Sequence, residues 1–202
     1  MNSPNRKKSR DLVLASGSPY RRELLGRLGL PFACRSPDIS EDRLHNEEPG
    51  ELSTRLALSK ARAITDFYPG SVLIGSDQIA VRDGEVLGKP GTADEAIAQL
   101  SASSGRAVEF LTGICVLDTE KEASEPFLHV DITRVAFRPL SDDEVRRYVD
   151  REQPLDCAGS FKAEALGISL FERIDSNDPT GLIGLPLIWL SGVLRHIGFE
   201  IP

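Results

Sequence analysis

Hydrophobic positions along the chain come in two rhythms: short unbroken runs with the length of buried strands, and spacings of three and four residues that mark helices. Leu12–Ala15 is the first run. It turns through Ser16-Gly17-Ser18 into a helix, with Ser18 as N-cap and Pro19 at the first helical position, where its missing N–H costs nothing. Leu30–Arg35 predicts a second strand, and Pro37–Arg43 an acidic loop. Pro49–Ser53 opens a long helical pattern in which Leu52, Leu56, Ser59/Lys60, Ala63 and Phe67 recur, so Lys60 lies beside the buried stripe. The apolar strand Ser71–Gly75 runs into Ser76-Asp77-Gln78 and resumes as Ile79–Val81. Asp83-Gly84 is a hairpin signal, and the returning arm Glu85–Leu87 ends in Gly88-Lys89-Pro90.

Farther on, Thr92 caps a helix over Ala93–Leu100, closed by Ser103-Ser104-Gly105. Val108–Leu117 and Phe127–Phe137 read as a long antiparallel pair joined by the polar loop Thr119–Pro126, the second strand alternating polar and apolar residues. Ser141–Glu144 is a capping box for a helix ending near Asp150 that covers one face of the sheet. A strand over Ile168–Glu172 and a last helix with the stripe Leu187, Leu190, Leu194 and Ile197, helped by Trp189, complete the pattern. There is no internal repeat and no linker that forces a boundary, so residues 11–202 are expected to form one domain behind a frayed polar tail, residues 1–10.

Composition narrows the classes. A hydrophobic share of 40% with 27% charged residues suits a soluble globular chain. A net charge of −7 argues against sequence-independent nucleic-acid binding, which needs a field of Lys and Arg. No apolar run approaches the ~20 residues of a membrane span. Cys34, Cys115 and Cys157 are odd in number and widely spaced, which points away from a disulfide framework and towards a reducing, cytoplasmic compartment.

The chemistry is first narrowed by what is missing. No P-loop, G-x-G-x-x-G, H-E-x-x-H or paired Cys-x-x-Cys motif is present, and His45, His129 and His196 have no ligand-like spacing. What remains is an anion cradle at the first helix, where free amides, the helix dipole and Arg21 and Arg22 meet, with Lys60 and Lys89 as further cations. Each cation has a solvated or snorkelling alternative. Asp77 interrupts an apolar run, which is costly unless the acid is paired, hydrogen-bonded or bound to a cation. Its alternative is a turn or capping role. The acidic loop offers Asp38, Glu41 and Asp42 as carboxylates near a metal, or as solvated loop charge. Together these groups suit a polyphosphate substrate with a hard divalent cation.

Leu14–Arg22, Glu41, Ser59-Lys60-Ala61, Gly75-Ser76-Asp77-Gln78, Gly88-Lys89-Pro90, Leu111-Thr112-Gly113, Ala158–Glu164 and Gly184-Leu185-Pro186 resemble, in order, the successive signatures of the Maf family of nucleoside-triphosphate pyrophosphatases. Within it the chain is most similar to the branch acting on 7-methylguanosine triphosphate. That resemblance rests on Tyr20, Gln78 and Glu164, where the branch acting on dTTP and UTP carries Arg, Thr and Gln; the favoured branch usually has Trp at the position of Tyr20. The N7-methylated guanine ring is positively charged, so an aromatic face at Tyr20 and a carboxylate at Glu164 both attract it. Gln78 offers a donor and an acceptor to a base edge.

The resemblance implies a mixed α/β, Maf/ITPase-like fold, an elongated twisted sheet flanked by helices with a cleft between two lobes, and a homodimer. It implies hydrolysis between the α- and β-phosphates, with Asp77 as general base acting on water directly or through a bound cation. Ser16, Arg21, Lys60 and Lys89 hold the phosphates with Arg22 in support, and Glu41 and Asp77 hold Mg²⁺ or Mn²⁺. Activity on dTTP, UTP or other nucleotides, and a largely non-catalytic nucleotide-binding role in septum formation, are the alternatives.

Overall fold

In a computed structural model that describes residues 10–120 and 125–202, seven strands form one mixed sheet. In chain order they are β1 (Leu12–Ala15), β2 (Ala33–Cys34), β3 (Val72–Arg82), β4 (Glu85–Leu87), β5 (Ala107–Asp118), β6 (Phe127–Phe137) and β7 (Phe171–Asp175). The spatial order is β2-β1-β3-β5-β6-β7, with β4 also on β3. β1 runs parallel to β2 and β3, and every other pairing is antiparallel. The helices are α1 (Pro19–Gly26), α2 (Pro49–Arg62), α3 (Ala93–Ser103), α4 (Asp142–Glu152) and α5 (Leu187–Ile197).

Residue alternation along β1, β3 and β5 divides the core. Leu12, Leu14, Val72, Ile74, Ile114 and Val116 pack with Leu24 and Leu25 of α1 and Leu190 and Leu194 of α5. Their neighbours Val13, Ala15, Leu73 and Cys115 point the other way, against Ala57 and Ala61 of α2. At the far end of the long strands a further apolar cluster joins Ala80, Val108, Phe110, Val135 and Phe137 to Leu100 of α3 and Tyr148 of α4. Ser18 caps α1 and Ser141 and Glu144 close the capping box of α4, as the sequence predicts. Asp83 and Gly84 turn the β3–β4 hairpin with φ of 52° and 83°, the positive pair that a two-residue turn with matching twist requires.

Several expectations need correction. The second strand shrinks from Leu30–Arg35 to Ala33–Cys34, because Pro31 has no N–H for a ladder and Leu30 and Phe32 pack on the core instead. α2 stops at Arg62, so Phe67 leaves the helical stripe and lies exposed with the Arg35 guanidinium 3.5 Å above its ring. The strand expected at Ile168–Glu172 begins at Phe171. Before it, Ala165 and Gly167 both donate to the Lys162 carbonyl, and residues 166–170 coil into a 3₁₀ turn. β6 alternates as expected, but its first half turns Asp131 and Thr133 inward and leaves Leu128 and Ile132 exposed. The tail lies outside the described residues except for Arg10, ion-paired with Asp118, and so does part of the β5–β6 loop.

Candidate active site

The sheet has a gap. β1 lies against Val72–Gly75 of β3 and β4 lies against Ala80–Arg82 on the same edge, while β5 follows the other edge from Val72 to Val81 without a break. Ser76–Ile79 therefore has a strand on one side only. The cleft of about 660 Å³ opens there, between the end of β1 and the end of β4. Its lining includes Ser16, Tyr20, Arg21, Glu41, Lys60, Asp77, Gln78, Lys89 and Glu164. Residues more than a hundred positions apart thus reach one opening. Arg22 is not in the lining. One helical step beyond Arg21 turns it away, exposed on α1, where its charge acts on Cys34.

Lys60 reaches Asp77 because α2 presses on the strand backbones. A Cβ on Gly75 would stand 2.0 Å from the Ala57 carbonyl oxygen, and one on Gly113 2.3 Å from that of Ser53. Only glycine fits at either contact. The Lys60 ammonium, 7% exposed by residue, donates to Asp77 Oδ1 at 2.5 Å and pairs with Glu41 at 2.6 Å. Asp77 Oδ2 accepts no hydrogen bond among the described residues. Burial pushes the Glu41 carboxyl up, but the hydrogen bond and charge of Lys60, with the charges of Lys89 and Arg21, outweigh it and hold Glu41 below its ordinary value. Three cations therefore bear on one carboxylate at the mouth of the cleft.

Arg21 is half-buried, and its Nε donates to the Gly184 carbonyl at 2.9 Å. Burial pulls its guanidinium down, opposed by Asp77 and Glu41. Ser16 is buried at the end of β1, its Oγ accepting from the Ser18 amide at 3.1 Å. Lys89 stands exposed on the rim past the end of β4, where the hairpin register puts it. The groups expected to bind phosphate thus gather around the acid expected to do the chemistry.

The other end of the cleft is acidic and aromatic. Burial raises the Tyr20 hydroxyl, and Cys157, Glu164, Asp156 and Glu152 add to the rise, which reports negative groups around that ring. Glu164 is exposed at the lining. Gln78 differs from the expectation of a free donor and acceptor. Its Nε2 donates to Thr112 Oγ1 at 2.9 Å and lies 3.0 Å from both the Gly181 and Leu182 carbonyls, so only Oε1 is left for a ligand. Thr112 stands in one of the motifs that carry the family resemblance, but neither it nor the Gly181 and Leu182 carbonyls were expected as partners of Gln78.

The two carboxylates on this ammonium are the groups that could hold a cation. No group of three or more His, Cys, Asp or Glu side chains stands together among the described residues. Mg²⁺ is typically held by one or two carboxylates plus substrate phosphates, so Glu41 and Asp77 suit a cation that arrives with a nucleotide.

A family model described as Maf-like protein matches residues 11–197. The 7-methyl-GTP pyrophosphatase of Pseudomonas aeruginosa is 52% identical to this chain over 196 residues, covering 95% of it and 99% of that protein. The 7-methyl-GTP pyrophosphatase of Colwellia psychrerythraea is 46% identical and covers 94% of each. Among solved structures the Ham1 protein of Staphylococcus aureus superposes with a TM-score of 0.54 at 12% identity, over 93% of this chain and 100% of that one. A HAM1 protein from Coxiella burnetii gives 0.51 at 19% identity, over 93% and 99%. At those identities the likeness is one of fold.

Proposed function

The chain belongs to the Maf family, and from that premise we propose that it hydrolyses 7-methyl-GTP to 7-methyl-GMP and diphosphate. The observation that carries the reading is the Lys60 ammonium held between Asp77 and Glu41 in a cleft that also receives Arg21 and Lys89. Water attacks the α-phosphorus, the bond from the α-phosphorus to the bridging oxygen breaks, and diphosphate leaves. Asp77 accepts the proton of that water, its Oδ2 being the oxygen not committed to Lys60. Lys60 has a third N–H beyond its two carboxylates and turns it to phosphate. Arg21 presents the guanidinium nitrogens that Nε leaves free, and Lys89 neutralises charge from the rim. Ser16 and the first amides of α1 complete the cradle.

Glu41 and Asp77 would hold Mg²⁺ or Mn²⁺. When bound there, such a cation would supply neutralisation of phosphate charge.

At the base end, the charged 7-methylguanine ring lies against Tyr20, a cation–π contact of about 0.5–2 kcal/mol, with Glu164 adding direct attraction. Free cysteines at 34, 115 and 157 support work in the reducing cytoplasm. No helix among the described residues is long and apolar enough to cross a membrane. The deciding measurement is diphosphate release over a panel of methylated and canonical nucleoside triphosphates. The highest kcat/KM on 7-methyl-GTP is the expected result. Preference for UTP or dTTP would assign the pyrimidine activity, and tight nucleotide binding without diphosphate would favour the non-catalytic role.

A further inference from the structure

The segment Thr180–Leu185 contributes Leu182 and Ile183 to the cleft lining, and two of its carbonyls each accept twice. The Gly184 carbonyl accepts from Arg21 Nε at 2.9 Å and from Ser76 Oγ at 2.9 Å, the single Ser76 proton being shared with the Gly113 carbonyl of β5, also at 2.9 Å. The Gly181 carbonyl accepts from Thr112 Oγ1 at 2.9 Å and lies 3.0 Å from Gln78 Nε2, which also donates to that same Thr112 oxygen. Each carbonyl thus receives one side chain that reaches the cleft and one hydroxyl that does not. Ser76 and Thr112 are both 0% exposed, and neither is in the cleft lining. The register of β3 on β5 sets Gln78 opposite Thr112 and Ser76 opposite Ile114, which brings both hydroxyls and Gln78 to one face.

The segment is rigid enough to transmit position. Asp178 accepts from the Thr180 amide at 2.9 Å, the Thr180 hydroxyl at 2.6 Å and the Ile188 amide at 2.6 Å, which ties the start of the segment to the first turn of α5. The fit at Gly184 is close. With φ at +116°, a Cβ there would stand 3.2 Å from Arg21 Nε.

We propose that Ser76 and Thr112 are positioning residues of this active site: Ser76 sets Arg21 through the Gly184 carbonyl, and Thr112 sets Gln78 directly and through the Gly181 carbonyl. This rests on the reading of Arg21 as a phosphate ligand and Gln78 as a base contact. The two hydroxyls then govern different quantities. Loss of the Ser76 donor loosens the grip on phosphate whatever the base. Loss of the Thr112 hydroxyl loosens discrimination between bases whatever the phosphate.

The test uses the full chain in steady-state hydrolysis of 7-methyl-GTP and UTP at fixed Mg²⁺, with inorganic tripolyphosphate as competitor. Ser76→Ala should weaken tripolyphosphate inhibition by about threefold to tenfold, the range of one hydrogen bond, and leave the ratio of kcat/KM between the two nucleotides unchanged. Thr112→Val should reduce that ratio by a similar factor and leave tripolyphosphate inhibition unchanged, and Thr112→Ser should restore it. In an Arg21→Ala background the Ser76 effect should vanish, as should the Thr112 effect in a Gln78→Ala background. Effects that persist in those backgrounds, or that fall alike on both quantities, overturn the proposal. So does a variant that fails to fold, which would make its hydroxyl structural. If Arg21→Ala itself leaves tripolyphosphate inhibition intact, the assignment of Arg21 fails and the Ser76 claim with it. If Arg21→Ala weakens inhibition and Ser76→Ala does not, the positioning role alone is wrong.

Discussion

One oxygen of Asp77 is held by Lys60 and the other takes no hydrogen bond among the described residues. That asymmetry lets one carboxylate be both anchored and available for a proton. Asp77→Asn keeps the size and loses the proposed base, so turnover should fall by about 100-fold or more with an unchanged circular dichroism spectrum. Glu41 is a proposed metal ligand, so Glu41→Gln should raise the Mg²⁺ concentration needed for half-maximal rate, read from a metal titration after EDTA treatment has stopped turnover. Asp131 lies outside this chemistry and still titrates abnormally. It is buried, a Cβ on Gly181 would stand 2.0 Å from its Oδ2, and burial together with the charge of Asp178 raises its carboxyl above the ordinary aspartate value. A raised folded value means that the ionised form costs stability, and that the cost disappears as pH falls below the ordinary aspartate range. Asp131→Asn should therefore melt higher than the parent at pH 7, with the gap closing by about pH 3. Asp77 was legible in the sequence because an acid inside an apolar run demands a partner. The held amide of Gln78 was not, because two of its three acceptors are backbone carbonyls 103 and 104 residues downstream.

At the scale of elements, the decisive contact is α2 against β3 and β5. Gly75→Ala puts a methyl into the Ala57 carbonyl and forces the helix off the sheet, at a cost of about 3 kcal/mol or more in a chemical-denaturation curve. Whatever fraction still folds should turn over slowly, since the same movement takes Lys60 from Asp77. Gly113→Ala should behave alike through Ser53. The helices themselves were readable from spacing and caps, because Ser18, Thr92 and Ser141 satisfy first-turn amides locally. The 3₁₀ turn before β7 was not, since its coiling depends on where β6 offers an edge. A glycine in an apolar strand signals close approach without naming the element that approaches.

For the molecule as a whole, β3 and β5 give buried residues to the apolar clusters at both ends, so neither end has a sheet of its own. One cooperative transition is the expected result, with near- and far-ultraviolet circular dichroism melts coinciding. A homodimer is the assembly proposed from the family likeness, and Leu128 and Ile132, exposed on β6, are candidates for its seam. Light scattering should then report twice the 22.1 kDa chain mass. The mixed sheet was anticipated from the family likeness, but the gap between β1 and β4 was not. It comes from two partners meeting one edge of β3 at different heights, and no local pattern encodes that spacing. The Lys60 triplet inside this gap has a consequence for traffic through it. With both carboxylates already leaning on its ammonium, the empty enzyme carries its own counterion. On the proposed roles, an entering polyphosphate finds one Lys60 N–H open and the rest of that charge already answered, so a stray single anion gains little from Lys60 alone, whereas a longer phosphate chain that also reaches Arg21 and Lys89 gains more.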